Sequence, residues 1–330
     1  MFIDYKSPSV RFTGRFAELN NTMTATAAGS AIEIAFKGDS ILLKFDLTDQ
    51  EYPYPHLWMQ LDGGAWIETQ LDWYLRINAN SAGTHLAKIV LKSTLEMQER
   101  WNLPIAAKLS FVGAEVEETA VLPEDNRKTI ELIGDSITEG VLIDADKQPI
   151  EPEPACRTFQ DDVFGTYGYI TAQNLNLRSY HVGYGAVGFT HGGSGNVPAL
   201  NNSYDYCFSG APVTYGHPDF ILINHGVNDT GWGADNYICE YEKFLNHLIE
   251  VHETSKIIVL NNFRGSYKDE TKEMVSRFNK EHGTDVFYID SSGWIPFEPL
   301  HPLRDGHKII AEHLTEILKE KYSLHGGEEC

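Results

Sequence analysis

The sequence lacks paired cysteines and long apolar runs and carries little positive charge, and each shortage removes a class of protein. Its four cysteines are Cys156, Cys207, Cys239 and Cys330. They form no CxxC pair and no Cys/His quartet with structural-zinc spacing, so they read as separate thiols in a reducing compartment. A Cys156–Cys207 disulfide is the other arrangement the sequence permits. No window reaches the roughly 18 consecutive apolar residues of a membrane helix. Lys+Arg number 26 against 47 Asp+Glu, for a net charge of −21. That field repels phosphate backbones and anionic lipid surfaces, so neither nucleic acid nor membrane is an expected partner. Internal repeats and low-complexity tracts are missing too. The start, Met1-Phe2-Ile3-Asp4-Tyr5, lacks a basic region followed by an apolar run, and a cytoplasmic location is the expectation.

What is present is the composition of a globular protein. The 330 residues are 42% hydrophobic and 22% charged, enough for one large domain or two ordinary ones. The texture changes along the chain. Up to about residue 122, short alternating runs are separated by turns: Ala31–Phe36, Ser40–Asp46, Leu57–Leu61, His85–Leu91 and Ala107–Val112. Period-two alternation with β-branched and aromatic residues predicts antiparallel strands in an all-β sandwich over residues 1–122. A polar linker, 123–128, follows. Beyond it, apolar runs at Thr129–Ile133, Ser179–Val182, Phe220–Ile223, Ile257–Leu260 and Val286–Ile289 predict buried parallel strands. Amphipathic segments Tyr167–Leu175, Tyr237–His252, Lys268–Glu281 and Gly306–Glu320 predict the helices between and after them. Strand–helix alternation over 129–330 is the pattern of an α/β domain. Asp144–Asp162, rich in proline and acid, reads as an inserted loop.

In parallel sheets, ligands bind outside the carboxyl ends of the strands. Four such ends carry chemistry. The first strand leads into Gly134-Asp135-Ser136, the second into Gly183-Tyr184-Gly185-Ala186-Val187-Gly188, the third into Gly226-Val227-Asn228-Asp229, and the fifth through Trp294 to Glu298-Pro299-Leu300-His301. A serine needs an adjacent base, and histidine titrates in the right range. A tetrahedral intermediate needs convergent N–H donors, which a serine amide, a glycine amide and an asparagine carboxamide supply. Together these are the parts of an acyl-transfer site.

The four blocks, in this order and after these strands, resemble the SGNH, or GDSL-type, esterase superfamily. The β-rich segment ahead of them is similar in architecture to family two carbohydrate esterases, which deacetylate plant polysaccharides. The resemblance implies a flavodoxin-like three-layer α/β/α catalytic domain behind a jelly-roll-like β-sandwich. It implies Ser136 as nucleophile and His301 as base. The oxyanion donors would be the amide of Ser136, the amide of Gly188 or Gly185, and the side chain of Asn228. The family's Asp-x-x-His acid is replaced by Glu298, three residues before His301. Either Glu298 or a main-chain carbonyl would then orient the imidazole. The implied activity is a cofactor-free serine esterase acting on short, acetyl-type esters of oligo- or polysaccharides. Lipid or thioester acyl groups are the rival substrates, and a decayed glycan-binding protein is the rival class.

Other features have plainer readings. GxSxG is not met, because Thr138 stands in the last position. His225 is expected to support its loop, and His313 to sit in the core on the apolar face of the last helix. Asp305 is expected to begin that helix. His301, Asp305 and His307 match no trusted ligand spacing, so no metal is expected. Trp58, Trp66, Trp73 and Trp101 are expected mainly to pack.

Overall fold

The computed structural model describes residues 1–149 and 151–324. Cys330 and the rest of the 325–330 segment lie outside the described residues. The chain forms two main sheets, one antiparallel with ten strands and one parallel with five.

The antiparallel sheet holds every strand before residue 120, and no helix precedes Ser136. Two long strands dominate it, Ala31–Phe45 and Tyr74–Ser93. The first joins two runs that sequence alternation separates, and the second extends the run His85–Leu91 back to Tyr74. Gly38, which falls between the runs Ala31–Phe36 and Ser40–Asp46, sits at a bulge in the pairing of these two strands, with φ 133°. A bulge bends a strand without ending it. The expected sandwich is therefore one hydrogen-bonded sheet. Its apolar face buries Ile32, Ile34, Phe36, Ile41, Leu43, Phe45, Leu57, Ile89 and Phe111 in a single cluster.

The parallel sheet consists of Thr129–Gly134, Arg178–Gly183, Phe220–Asn224, Lys256–Leu260 and Phe287–Ile289. Counted in sequence, their spatial order is 2-1-3-4-5, the flavodoxin-like order, whose switch point lies between strands 1 and 3. The first strand is buried at every residue, as a central strand covered on both faces must be. Helices Tyr167–Asn174 and Arg304–Tyr322 pack together on one face. Ala234–Val251 and Lys268–His282 cover the other. All five strands and four helices expected from the apolar pattern are present, with bounds shifted by at most three residues.

The two sheets are joined by buried ion pairs. Arg15 reaches Glu131 at 2.9 Å, and Arg100 pairs with Glu139. Removing one member of such a pair strands the other charge, at a cost of about 3–5 kcal/mol. Cys156, Cys207 and Cys239 are free thiols, so the Cys156–Cys207 disulfide does not form. Trp58 stacks on Phe164 and Trp66 meets the same ring edge-on, which are packing roles, whereas Trp73 is exposed. His313 departs from expectation: it is exposed and stacks on Trp294. The helix turns that position outward while Ile310, Leu314 and Leu318 fill the core.

Candidate active site

The serine turn is shaped by glycine. Gly134 ends the first parallel strand, level with Gly183 on one side and Asn224 on the other. A Cβ on Gly134 would lie 2.0 Å from Thr138 Oγ1 and 2.7 Å from Asn224 O. A side chain there would push the turn out of the sheet. Asp135 caps the short helix Ser136–Glu139 by accepting from the Ile137 N–H at 3.0 Å. This holds Ser136 at the first helical position, above the sheet edge.

His301 comes from the far end of the chain. Its Nε2 lies 2.9 Å from Ser136 Oγ, across 165 residues of sequence. The last helix secures it. Arg304 donates to both carboxylate oxygens of Asp144, at 2.8 and 2.6 Å, and to Asp162 at 2.8 Å. Bidentate guanidinium–carboxylate bonding fixes direction as well as distance. Asp144 and Asp162 bracket the segment read as an inserted loop, so that segment braces the histidine. Burial pushes the His301 pKa below the ordinary imidazole value of 6.5; Glu96 opposes the shift and Arg157 adds to it.

Glu298 does not reach His301. Its carboxylate accepts from Arg264 at 2.8 Å, and its side chain is 76% exposed. Asp305 pairs with Lys308 on the surface. Among the described residues, no carboxylate or carbonyl accepts a hydrogen bond from His301 Nδ1. Ser136 and His301 thus form a hydrogen-bonded pair, without the acid that the spacing of Glu298 implied and equally without the alternative main-chain carbonyl. The expected result follows in two parts. The rate should rise with pH through a midpoint below 6.5, because the imidazole must be neutral to take the serine proton and burial favours its neutral form. Glu298→Gln should leave kcat within about two-fold and that midpoint in place. Steady-state rates from pH 4 to 8 check both, and a ten-fold loss in the variant would restore Glu298 to the dyad.

The glycine assignment also changes. The Gly188 N–H donates to His191 O at 3.0 Å, and the Gly185 N–H donates to Glu139 Oε2 at 2.7 Å. Both candidate amides are already committed. Between them, Ala186 has φ 58°, and its N–H donates to no group among the described residues. Asn228 lies beside the same loop, with Nδ2 donating to Val187 O at 3.0 Å. Asp229, fully buried, accepts from Phe189 N, Thr190 N and Thr190 Oγ1 at 3.1, 2.8 and 2.7 Å. It clamps the loop from the other side. His225 is buried against Phe189, in the supporting position expected of it.

Sequence reasoning missed the buried pairs that hold these loops. Glu139 bonds Arg100 with one oxygen and the Gly185 amide with the other. Glu96 accepts from Arg157 at 2.8 Å. Arg100 and Glu96 belong to the connection between strands Tyr74–Ser93 and Leu109–Glu115, so the antiparallel part of the chain helps to build the site. The one signal in the sequence is the charged cluster Glu96, Glu99 and Arg100 between Leu95 and Trp101.

No family model matches the sequence. The cellulase/esterase CelE of Acetivibrio thermocellus is 22% identical over 96% of this chain, and the match spans 40% of that protein's length. A family two carbohydrate esterase from Cellvibrio japonicus superimposes with a TM-score of 0.79 at 19% identity, over 97% of each chain. An acetyl xylan esterase, Est2A, from Butyrivibrio proteoclasticus does so with a TM-score of 0.78 at 16% identity, over 98% of each chain. The superpositions cover nearly the whole chain. The chain has the fold of the family two carbohydrate esterases, the architecture its four blocks and β-rich leading segment resemble.

Proposed function

We propose that the chain is a serine esterase that removes short acyl groups, acetyl foremost, from carbohydrate hydroxyls. The observation that carries the reading is the 2.9 Å contact of Ser136 Oγ with His301 Nε2, at the switch point of the sheet. His301 takes the serine proton as Oγ attacks the ester carbonyl. The developing oxyanion is held by the N–H groups of Ser136 and Ala186 and by Asn228 Nδ2. His301 then gives its proton to the leaving sugar oxygen, leaving an acyl-serine. Water repeats the sequence and releases the acid. A dyad serves because its imidazole, depressed by burial, is neutral at ordinary pH. The carbohydrate half of the reading is supported by the shared fold of the esterases above, and the acetyl half by the acetyl xylan esterase among them.

The test is acetate release from acetylated xylo- and cello-oligosaccharides, beside p-nitrophenyl esters of increasing chain length. Turnover of the sugar acetates, with p-nitrophenyl rates falling beyond about four carbons, is the expected outcome. Activity that grows with chain length, and no acetate from sugars, would move the substrate to lipid-like esters.

A further inference from the structure

Glu96 is built into the site more tightly than a surface-loop residue needs to be. It is 8% exposed, and its Oε1 is spent on Arg157 at 2.8 Å. Its Oε2 has no hydrogen-bond partner among the described residues, and it is not among the oxygens sealed from solvent. That oxygen fills the side-chain space of the second-block loop: a Cβ on Gly185 would lie 1.9 Å from it. Gly185 is therefore needed for a close approach by Glu96, rather than for its own amide, which Glu139 holds. Glu96 and Arg157 also lie near enough to His301 for their charges to act on its imidazole.

A buried carboxylate is costly unless its oxygens find donors. Arg157 satisfies one. The other is left without a donor against Gly185, in the loop proposed to carry the oxyanion amide. His301 must deliver its proton to the leaving oxygen, so the alcohol half of the ester lies against the histidine. A donor on that alcohol, close to the scissile oxygen, is what Glu96 lacks. We propose that Glu96, held by Arg157, is a specificity-determining residue whose free oxygen accepts a hydrogen bond from a sugar hydroxyl neighbouring the esterified one. This rests on the carbohydrate esterase reading and deepens it. The substrate class becomes a partly acylated polyol with an unesterified neighbour, rather than a fully acylated sugar or a simple alcohol. A site built to bond a hydroxyl discriminates strongly against an analogue lacking it, because its own acceptor is left unpaired.

The experiment compares two substrates on two enzymes. A monoacetylated methyl glycoside with a free hydroxyl beside the ester is measured against p-nitrophenyl acetate, on the wild type and on Glu96→Gln. The ratio of their kcat/KM values cancels any difference in folded fraction. In the variant it should fall about 10- to 100-fold, the range for a bond to a charged acceptor, with KM of the glycoside carrying most of the loss. A second measurement needs only the wild type: the deoxy glycoside lacking the neighbouring hydroxyl should lose a similar factor, and Glu96→Gln should no longer distinguish the two glycosides. An unchanged ratio, or a wild type indifferent to the deoxy substitution, overturns the assignment of Glu96. A wild type that hydrolyses p-nitrophenyl acetate but no sugar acetate overturns the carbohydrate reading itself, which is a different result.

Discussion

Ser136→Ala should leave the fold intact and lower kcat by roughly 10³-fold or more, about 4 kcal/mol of transition-state stabilisation. The structure says why the two effects separate. Ser136 Oγ makes one hydrogen bond, to His301, and packing of the turn depends on its neighbours instead. Asp135 caps Ile137 with its own side chain, and Thr138 Oγ1 bonds Tyr167 at 2.7 Å. Neither contact involves the serine oxygen. The loss in rate is large because the acyl-serine intermediate vanishes, while the remaining donors can only help water attack directly. Two measurements check it: steady-state hydrolysis of p-nitrophenyl acetate, and labelling by a serine-directed fluorophosphonate. The variant should be slow and unlabelled, with an unchanged melting temperature. A variant that turns over at the wild-type rate would mean another nucleophile.

Much of the parallel-sheet half is legible in the sequence because its determinants are local. Five apolar runs mark five buried strands, since a strand covered on both faces has no polar side to show. Ser136, Asn228 and His301 stand out because each follows such a strand. The losses occur where a side chain's direction depends on distant partners. Glu298 has the right spacing from His301, but spacing does not fix direction, and Arg264, 34 residues earlier, draws the carboxylate to the surface. Choosing among the glycines of the second block requires knowing which amides are already bonded. That is decided by Glu139, 46 residues before Gly185, and by a carbonyl in the following turn. Ala186 carries no signal at all, because nothing in an alanine announces a positive φ. Gly38 misleads in the opposite direction, since a strand bulge and a strand end present the same residue.

These misses share a cause, which bears on the role of the antiparallel sheet. Its connection 94–108 sends Arg100 to Glu139 and Glu96 to Arg157 and Gly185. The loop proposed to carry the oxyanion donor is therefore positioned by both parts of the chain. The parallel-sheet half cut free of the first sheet would expose Glu139, which is buried and, among the described residues, pairs only with Arg100 and the Gly185 amide.

The second large effect is expected at Asn228. Its Nδ2 ties one hydrogen to Val187 O at 3.0 Å, which orients the carboxamide and leaves the second hydrogen for the oxyanion. Asn228→Ala removes that donor. The loop survives the loss, because Asp229 holds Phe189 and Thr190 by three hydrogen bonds that do not pass through Asn228. A ground-state carbonyl has little charge to stabilise, whereas the tetrahedral intermediate carries a full one. The expected result is a fall in kcat of about 10²–10³-fold with KM nearly unchanged. Asn228→Asp should be worse than alanine despite its shape. A carboxylate offers no donor, sets a negative charge beside the oxyanion, and turns an acceptor toward the Val187 carbonyl that Nδ2 had satisfied. Steady-state kinetics on one short-chain ester, run for both variants at a pH where His301 is neutral, separates the alternatives. Alanine slow with KM unchanged, and aspartate slower still, identifies a transition-state donor. A rise in KM alone would make Asn228 a substrate contact, and aspartate matching wild type would remove it from the oxyanion hole.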